Sequence, residues 1–132
     1  MPMPQDRESG ARASQYGREC GQKIMYALGA KSVKPGSNEC FLENEILTIH
    51  CARLNTDRVG VTYKALDRIS AVLGAFEQED GSYIVWRMSK AEYEKRMINT
   101  RSQGPSKNRV GMVKRVDFER FGSRFALVRI LP

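Results

Sequence analysis

The run Ile46-Leu47-Thr48-Ile49-His50-Cys51-Ala52 constrains the fold of this chain more than any other stretch. It is β-prone, and no Asp, Glu, Lys or Arg falls anywhere within it. Side chains alternate along a strand, so Leu47, Ile49 and Cys51 share one face and Thr48, His50 and Ala52 share the other. Such a segment belongs in the middle of a sheet with the first set in the core. A second β-prone run, Glu39 to Leu42, precedes it across Glu43-Asn44-Glu45, and the two read as a hairpin. In that register Glu39 lies opposite Thr48, with Thr48 and His50 two residues apart on one face.

The remaining elements are read outward from this hairpin. Residues 1–13 are polar, hold two of the prolines and lack periodicity, so a flexible N-terminal arm is expected there. From Ser14, the positions Tyr16, Cys20, Ile24, Ala27 and Leu28 follow helical spacing, and Gly29 can close that helix in a left-handed turn. Lys34-Pro35-Gly36-Ser37 is a breaker, and Arg53 to Gly60 reads as a polar connection. Thr62 can then cap a second helix with the stripe Leu66, Ile69, Val72, Leu73 and Phe76. Asp80-Gly81 signals a turn before the strand Tyr83 to Met88, with which Gly74 to Gln78 can pair as a hairpin. Ser89 and Glu92 form a capping box for a short helix to about Met97. Asn99 to Asn108 reads as an exposed basic loop, followed by β-prone pieces at Val110 to Val116 and Phe125 to Leu131.

With 132 residues the chain suits one domain. The predicted fold is α/β (mixed α+β), a central mixed sheet with flanking helices, in the order α-β-β-α-β-α followed by two C-terminal strands. The expected division is an arm at 1–13, a core at 14–98 and a basic C-terminal extension at 99–132. A hydrophobic content of 41% supports an ordered core. No apolar run approaches the ~18–20 residues of a membrane span, and the N-terminus lacks a signal pattern. Cys20, Cys40 and Cys51 form no CxxC pair and leave an odd thiol, so they read as core residues in a reducing, cytoplasmic setting.

Charge is distributed unevenly. Residues 1–94 hold 12 Lys/Arg against 13 Asp/Glu, whereas residues 95–132 hold 10 against 2, so the net +7 arises at the C-terminal end. That asymmetry suits phosphate, because neutralising a phosphate releases counterions and gives affinity without sequence readout. Arg101, Lys107 and Arg109, interleaved with Gly104, Ser106 and other small residues, are the leading candidates, extended by Lys114 and Arg115. Arg53 and Lys64 are further candidates beside the hairpin. The basic tract lacks aromatics, so base stacking would need Tyr83, Trp86 or Phe118, and Trp86 reads more readily as core.

A helix, a hairpin, a second helix and a strand over roughly residues 14–88 resemble the core of the PD-(D/E)XK nuclease-like superfamily, which includes Holliday-junction resolvases and restriction-type endonucleases. The resemblance implies an acid on one strand and an (E/D)-x-K tripeptide on the next, converging on a divalent metal. Magnesium requires several oxygen ligands, and the lysine orients water and offsets charge on the phosphate. Ser37-Asn38-Glu39 looks like the first acidic site, and Thr48-Ile49-His50 falls where (E/D)-x-K is expected. Thr48 therefore replaces a carboxylate and His50 the lysine. Glu39 is left as the metal ligand of the set, with Glu19 on helix one as a second candidate oxygen donor or a boundary ion-pair residue.

These features make nucleic-acid binding on a nuclease-like scaffold without catalysis the first expectation, with DNA slightly ahead of RNA. The enzymatic alternative is an endonuclease using Mg²⁺ or Mn²⁺ with Glu39, His50 and Glu19 in catalytic roles. The third is a protein-interaction module, inhibitor or accessory subunit. The superfamily also contains many dimers, so a homodimer is among the partner expectations. A membrane partner is not.

Overall fold

The computed structural model describes the backbone of residues 4–99 and 109–130, and side chains from 15 to 98 and 109 to 130. The elements run α1 (Pro4–Leu28), β1 (Lys31–Ser32), β2 (Glu39–Leu42), β3 (Glu45–Ala52), β4 (Arg58–Thr62) and α2 (Tyr63–Leu66). They continue with β5 (Ala71–Glu77), β6 (Tyr83–Ser89), α3 (Lys90–Arg96), β7 (Ile98–Asn99), β8 (Val110–Lys114), α4 (Arg115–Phe121) and β9 (Ser123–Val128). The architecture is mixed α+β. A six-stranded sheet is ordered β1-β2-β3-β5-β6-β9, and a three-stranded sheet is ordered β4-β8-β7. No helix among the described residues is long and apolar enough to cross a membrane.

The β2–β3 hairpin has the expected register, with Glu39 opposite Thr48 and Cys40 opposite Leu47. Its turn is tight because Glu43 and Asn44 both take positive φ, of 51° and 65°. Two successive left-handed residues give the backbone twist that matches a hairpin. Strand β3 then pairs with β5 in parallel, whereas every other strand pairing among the described residues is antiparallel.

A parallel pair needs a crossover, which residues 53–70 supply through β4 and α2. Thr62 caps α2 as expected, its Oγ1 accepting from Ala65 N–H at 3.2 Å. The helix ends at Leu66, however, and the apolar run predicted as its continuation is β5. All six residues from Ala71 to Phe76 are buried. Ala71, Leu73 and Ala75 face one core, while Val72 and Phe76 face the other. A strand buried on both faces loses its two-residue alternation, and its apolar positions then also satisfy a helical period. Ser70 commits the chain to the sheet, since its N–H bonds Ile46 C=O at 2.9 Å and its C=O accepts from Lys90 N–H at 3.0 Å.

Helix α1 covers the first face through Cys20, Ile24 and Met25, packed with Leu47, Ile49, Leu73 and Val85. It ends at Gly29, φ 74°, with Gly29 N–H on Tyr26 C=O and Ala30 N–H on Met25 C=O. It begins at Pro4, so the segment expected to be a loose arm is helical from that residue onward. The second face is covered by the three-stranded sheet with α2, α3 and α4, through Val59, Val61, Leu66, Tyr93, Val113 and Phe118. Helix α3 opens at Ser89, whose hydroxyl accepts from Glu92 N–H at 3.2 Å, as the capping box requires.

Residues 110–128 are part of both layers rather than an appended extension. Strand β8 is the middle of the small sheet, β9 pairs with β6 at the edge of the large one, and the interval between them contains α4, a helix absent from the sequence reading. Phe118 on α4 is fully buried, edge-on to Phe76 at 5.4 Å and to Tyr93 at 6.1 Å. Gly74 makes room for this cluster, as a Cβ there would sit 2.9 Å from the Phe118 ring. Phe118→Ala is expected to cost ~3–5 kcal/mol in urea unfolding, the usual range for a phenylalanine deleted from a core. A loss near zero would mean that the C-terminal residues are indeed an appendage.

Candidate functional site

Glu39, Thr48 and His50 lie together on the second face of the large sheet. Glu39 begins β2 and its carboxylate is largely buried, with 11% of its side chain exposed. Arg68, just beyond α2, grips it: Nε donates to Oε1 at 2.9 Å and to Oε2 at 3.3 Å, and Nη2 donates to Oε1 at 2.6 Å. This planar fork is the strongest way a protein holds a carboxylate, and it engages both oxygens. Glu39 N–H also bonds Ser37 Oγ at 3.1 Å, which fixes the start of the strand.

Thr48, opposite Glu39, is buried, and its Oγ1 lies 3.0 Å from His50 Nε2. His50 is partly buried rather than half-exposed on a solvated face, because β4 and α2 cross over this side of the sheet. Burial lowers its pKa to about 4, although the Glu39 charge acts in the opposite direction. The imidazole is therefore neutral at pH 7.

Glu19 is not part of this group. It is exposed on α1, which covers the opposite face of the sheet, and its Oε1 accepts from Gln15 Nε2 at 2.9 Å. The donors do not fit a divalent cation. Magnesium or manganese would require several oxygen ligands. Here a single carboxylate is taken by Arg68, and the threonine hydroxyl is engaged with histidine. Among the described residues, no group of three His, Cys, Asp or Glu side chains could hold a metal ion. In place of the metal role anticipated for Glu39 the structure has an ion pair, and its partner Arg68 had no part in the sequence reading.

The expected nucleic-acid contacts separate into three groups. Arg101 and Lys107 lie outside the described residues. Arg53 and Arg115 are packed on rings: Arg53 sits 4.3 Å from the Tyr16 centroid on the α1 side, and Arg115 sits 5.3 Å from that of Phe76. Lys64, Arg109 and Lys114 are exposed around the small sheet and form no ion pair with another described residue. Tyr63 N–H bonds Arg109 C=O at 3.0 Å, so Lys64 and Arg109 flank one end of the β4–β8 ladder. Lys114 lies across from Arg58 at the other end. Arg58, unassigned in the sequence, alternates with buried Val59 and Val61 in a period-two signal hidden within the polar connection. It is engaged by exposed Asp57 at 3.0 Å, and that pairing holds the Asp57 carboxyl below its usual range.

None of the three aromatics considered for base stacking is free to stack. Phe118 and Tyr83 are buried, and Trp86 packs against the second core.

The His50 shift has a definite sign. Its folded pKa lies below the unfolded value of 6.5, so the unfolded chain binds the proton first as pH falls. The stabilisation is full above about pH 6.5 and is lost toward pH 4, with a magnitude of ~3 kcal/mol. Urea unfolding of wild type and His50→Gln at a series of pH values should therefore converge as pH falls across this window, the wild type losing more. Parallel curves would contradict burial of a neutral imidazole.

No protein-family model matches this chain, and no curated protein matches it significantly.

Proposed function

We propose that this protein binds nucleic acid without cutting it, using the outward side of the β4–β8 ladder on a scaffold that resembles PD-(D/E)XK nucleases. The carrying observation is that Lys64, Arg109 and Lys114 stay exposed and free of ion pairs with described residues, while of the residues resembling a nuclease site Glu39 is held by Arg68 and Thr48 is engaged with His50. The two basic ends of the ladder are separated by the length of β4, Arg58 to Thr62. At ~3.3 Å per residue that is ~13 Å, close to the ~12 Å width of a DNA major groove, which accepts a two-stranded ribbon. Cations at both ends would reach the backbones flanking the groove. Among the described residues no exposed aromatic platform lies there, which favours a duplex over single strands, and duplex DNA is the first choice over structured RNA.

Neutralised phosphates give affinity a linear dependence on the logarithm of salt concentration. Anisotropy titration with labelled duplex DNA and structured RNA is expected to show affinity falling steeply with salt. Joint replacement of Lys64, Arg109 and Lys114 by glutamine should weaken binding by at least ~tenfold and flatten the salt slope by ~2–3 units. On denaturing gels the strands should stay intact in EDTA, Mg²⁺ and Mn²⁺. Metal-dependent cleavage abolished by Glu39→Gln would replace this reading with the endonuclease. Absence of binding at low salt, with an acidic protein retained after nuclease treatment, would replace it with the interaction module.

A further inference from the structure

The apolar stripe of α1 is wider than the surface that covers it. Cys20, Ile24 and Met25 are buried against the first core, but Ala27, at the same helical spacing, stays exposed, and Tyr26 beside it is 89% exposed. These two residues border a cavity of about 500 Å³ between α1 and the segment that follows β9. Gln22, Lys23, Tyr26 and Ala27 line it from the helix, and Arg129 and Ile130 line it from the other side. Ile130 is itself packed on the first core, so that wall is anchored. The volume falls within the ~300–1,000 Å³ typical of small-molecule sites, and so does the make-up of the lining, apolar surface with a few polar groups.

The charged groups in that lining are of one sign. Lys23 forms no ion pair with a described residue. Glu19, one helical turn before it, accepts from Gln15 Nε2 at 2.9 Å instead. Arg129 has a single ion pair, to the exposed Asp80 at 3.6 Å, longer than a hydrogen bond, and 71% of its side chain is exposed. Gln22 is already engaged, its Nε2 donating to Ser37 C=O at 2.9 Å. None of the lining residues is acidic. The groove therefore presents one cation from each wall around an apolar centre.

We propose that this groove binds a medium-chain fatty carboxylate, the carboxylate held by Lys23 and Arg129 and the chain laid against Tyr26, Ala27 and Ile130. Charge complementarity selects an anion, because an amine would meet two like charges. The apolar lining selects a chain over a bare ion such as phosphate, since only the chain removes Tyr26, Ala27 and Ile130 from water. A second copy of the same groove is a poor occupant, as it would bring Lys23 and Arg129 against their own counterparts. The groove lies on the α1 side of the large sheet, so the proposal stands apart from the nucleic-acid reading of the β4–β8 ladder.

The test is to titrate the full chain with octanoate and follow backbone amide shifts. Saturating changes are expected at Gln22 to Ala27 and at Arg129 and Ile130, with a dissociation constant below ~1 mM. Octylamine, the same chain with the opposite charge, should bind at least ~tenfold more weakly. Hexanoate, two methylenes shorter, should bind at least ~fivefold more weakly. Lys23→Gln and Arg129→Gln should each weaken octanoate binding by about threefold. Ala27→Trp fills the groove from an exposed position and should abolish the octanoate shifts while the rest of the spectrum keeps its place; if the spectrum changes throughout, the Lys23 and Arg129 variants decide. Failure to saturate, equal binding of octylamine, or shifts centred on β4 and β8 would each overturn the proposal. Equal shifts from poly-glutamate at the same carboxylate concentration would overturn it in favour of an acidic protein segment, and shifts of these amides on dilution without any ligand would overturn it in favour of a second copy.

Discussion

Burial of β5 on both of its faces sets the arrangement of everything else. Ala71, Leu73 and Ala75 need cover on one side, and Val72 and Phe76 need it on the other. A single layer cannot satisfy this, and the parallel β3–β5 pairing adds a crossover that has to return across one face. Helix α1 covers the first side. The second is closed by the crossover itself, through β4 and α2, together with α3, β8 and α4. Phe118 joins these pieces, since its ring meets Phe76 from the large sheet and Tyr93 from α3. The C-terminal third is therefore a structural necessity before it is a charged surface.

This layering also decides what the polar residues can do. The crossover covers Thr48 and His50 and brings Arg68 onto Glu39, so the Glu39 carboxylate is held by Arg68 and the Thr48 hydroxyl is engaged with His50. A buried carboxylate without a partner is costly, and the guanidinium removes that cost while consuming both oxygens. Cations on β4, α2 and β8 face outward into solvent. The bonded Glu39–Arg68 and Thr48–His50 pairs and the basic ladder lie on the inner and outer sides of the same crossover.

Much of this was legible where local chemistry is decisive. The hairpin register, the Thr62 and Ser89 caps and the Gly29 stop all follow from a few adjacent residues, and each occurs as expected. The boundary between α2 and β5 was not, because uninterrupted burial from Ala71 to Phe76 erases the alternation that distinguishes a strand. Helix α4 was hidden because Arg115 and Val116 close the β-prone piece Val110 to Val116, whereas in the fold Phe118 packs edge-on to Phe76 and Tyr93 from a helix that starts at Arg115. At the site, Glu39, Thr48 and His50 were placed together by register alone. Arg68 depends on where α2 ends, which a local pattern does not encode.

The central claim is that ligand meets the outer side of the crossover while the inner pocket stays closed. Backbone amide shift perturbation, recorded as unlabelled duplex DNA is added to isotopically labelled protein, tests it residue by residue. The account predicts that the largest changes map to β4, the start of α2 and β8, around Lys64, Arg109 and Lys114, with Glu39, Thr48 and His50 little affected. Changes centred on Glu39 and His50, or on α1, would contradict it.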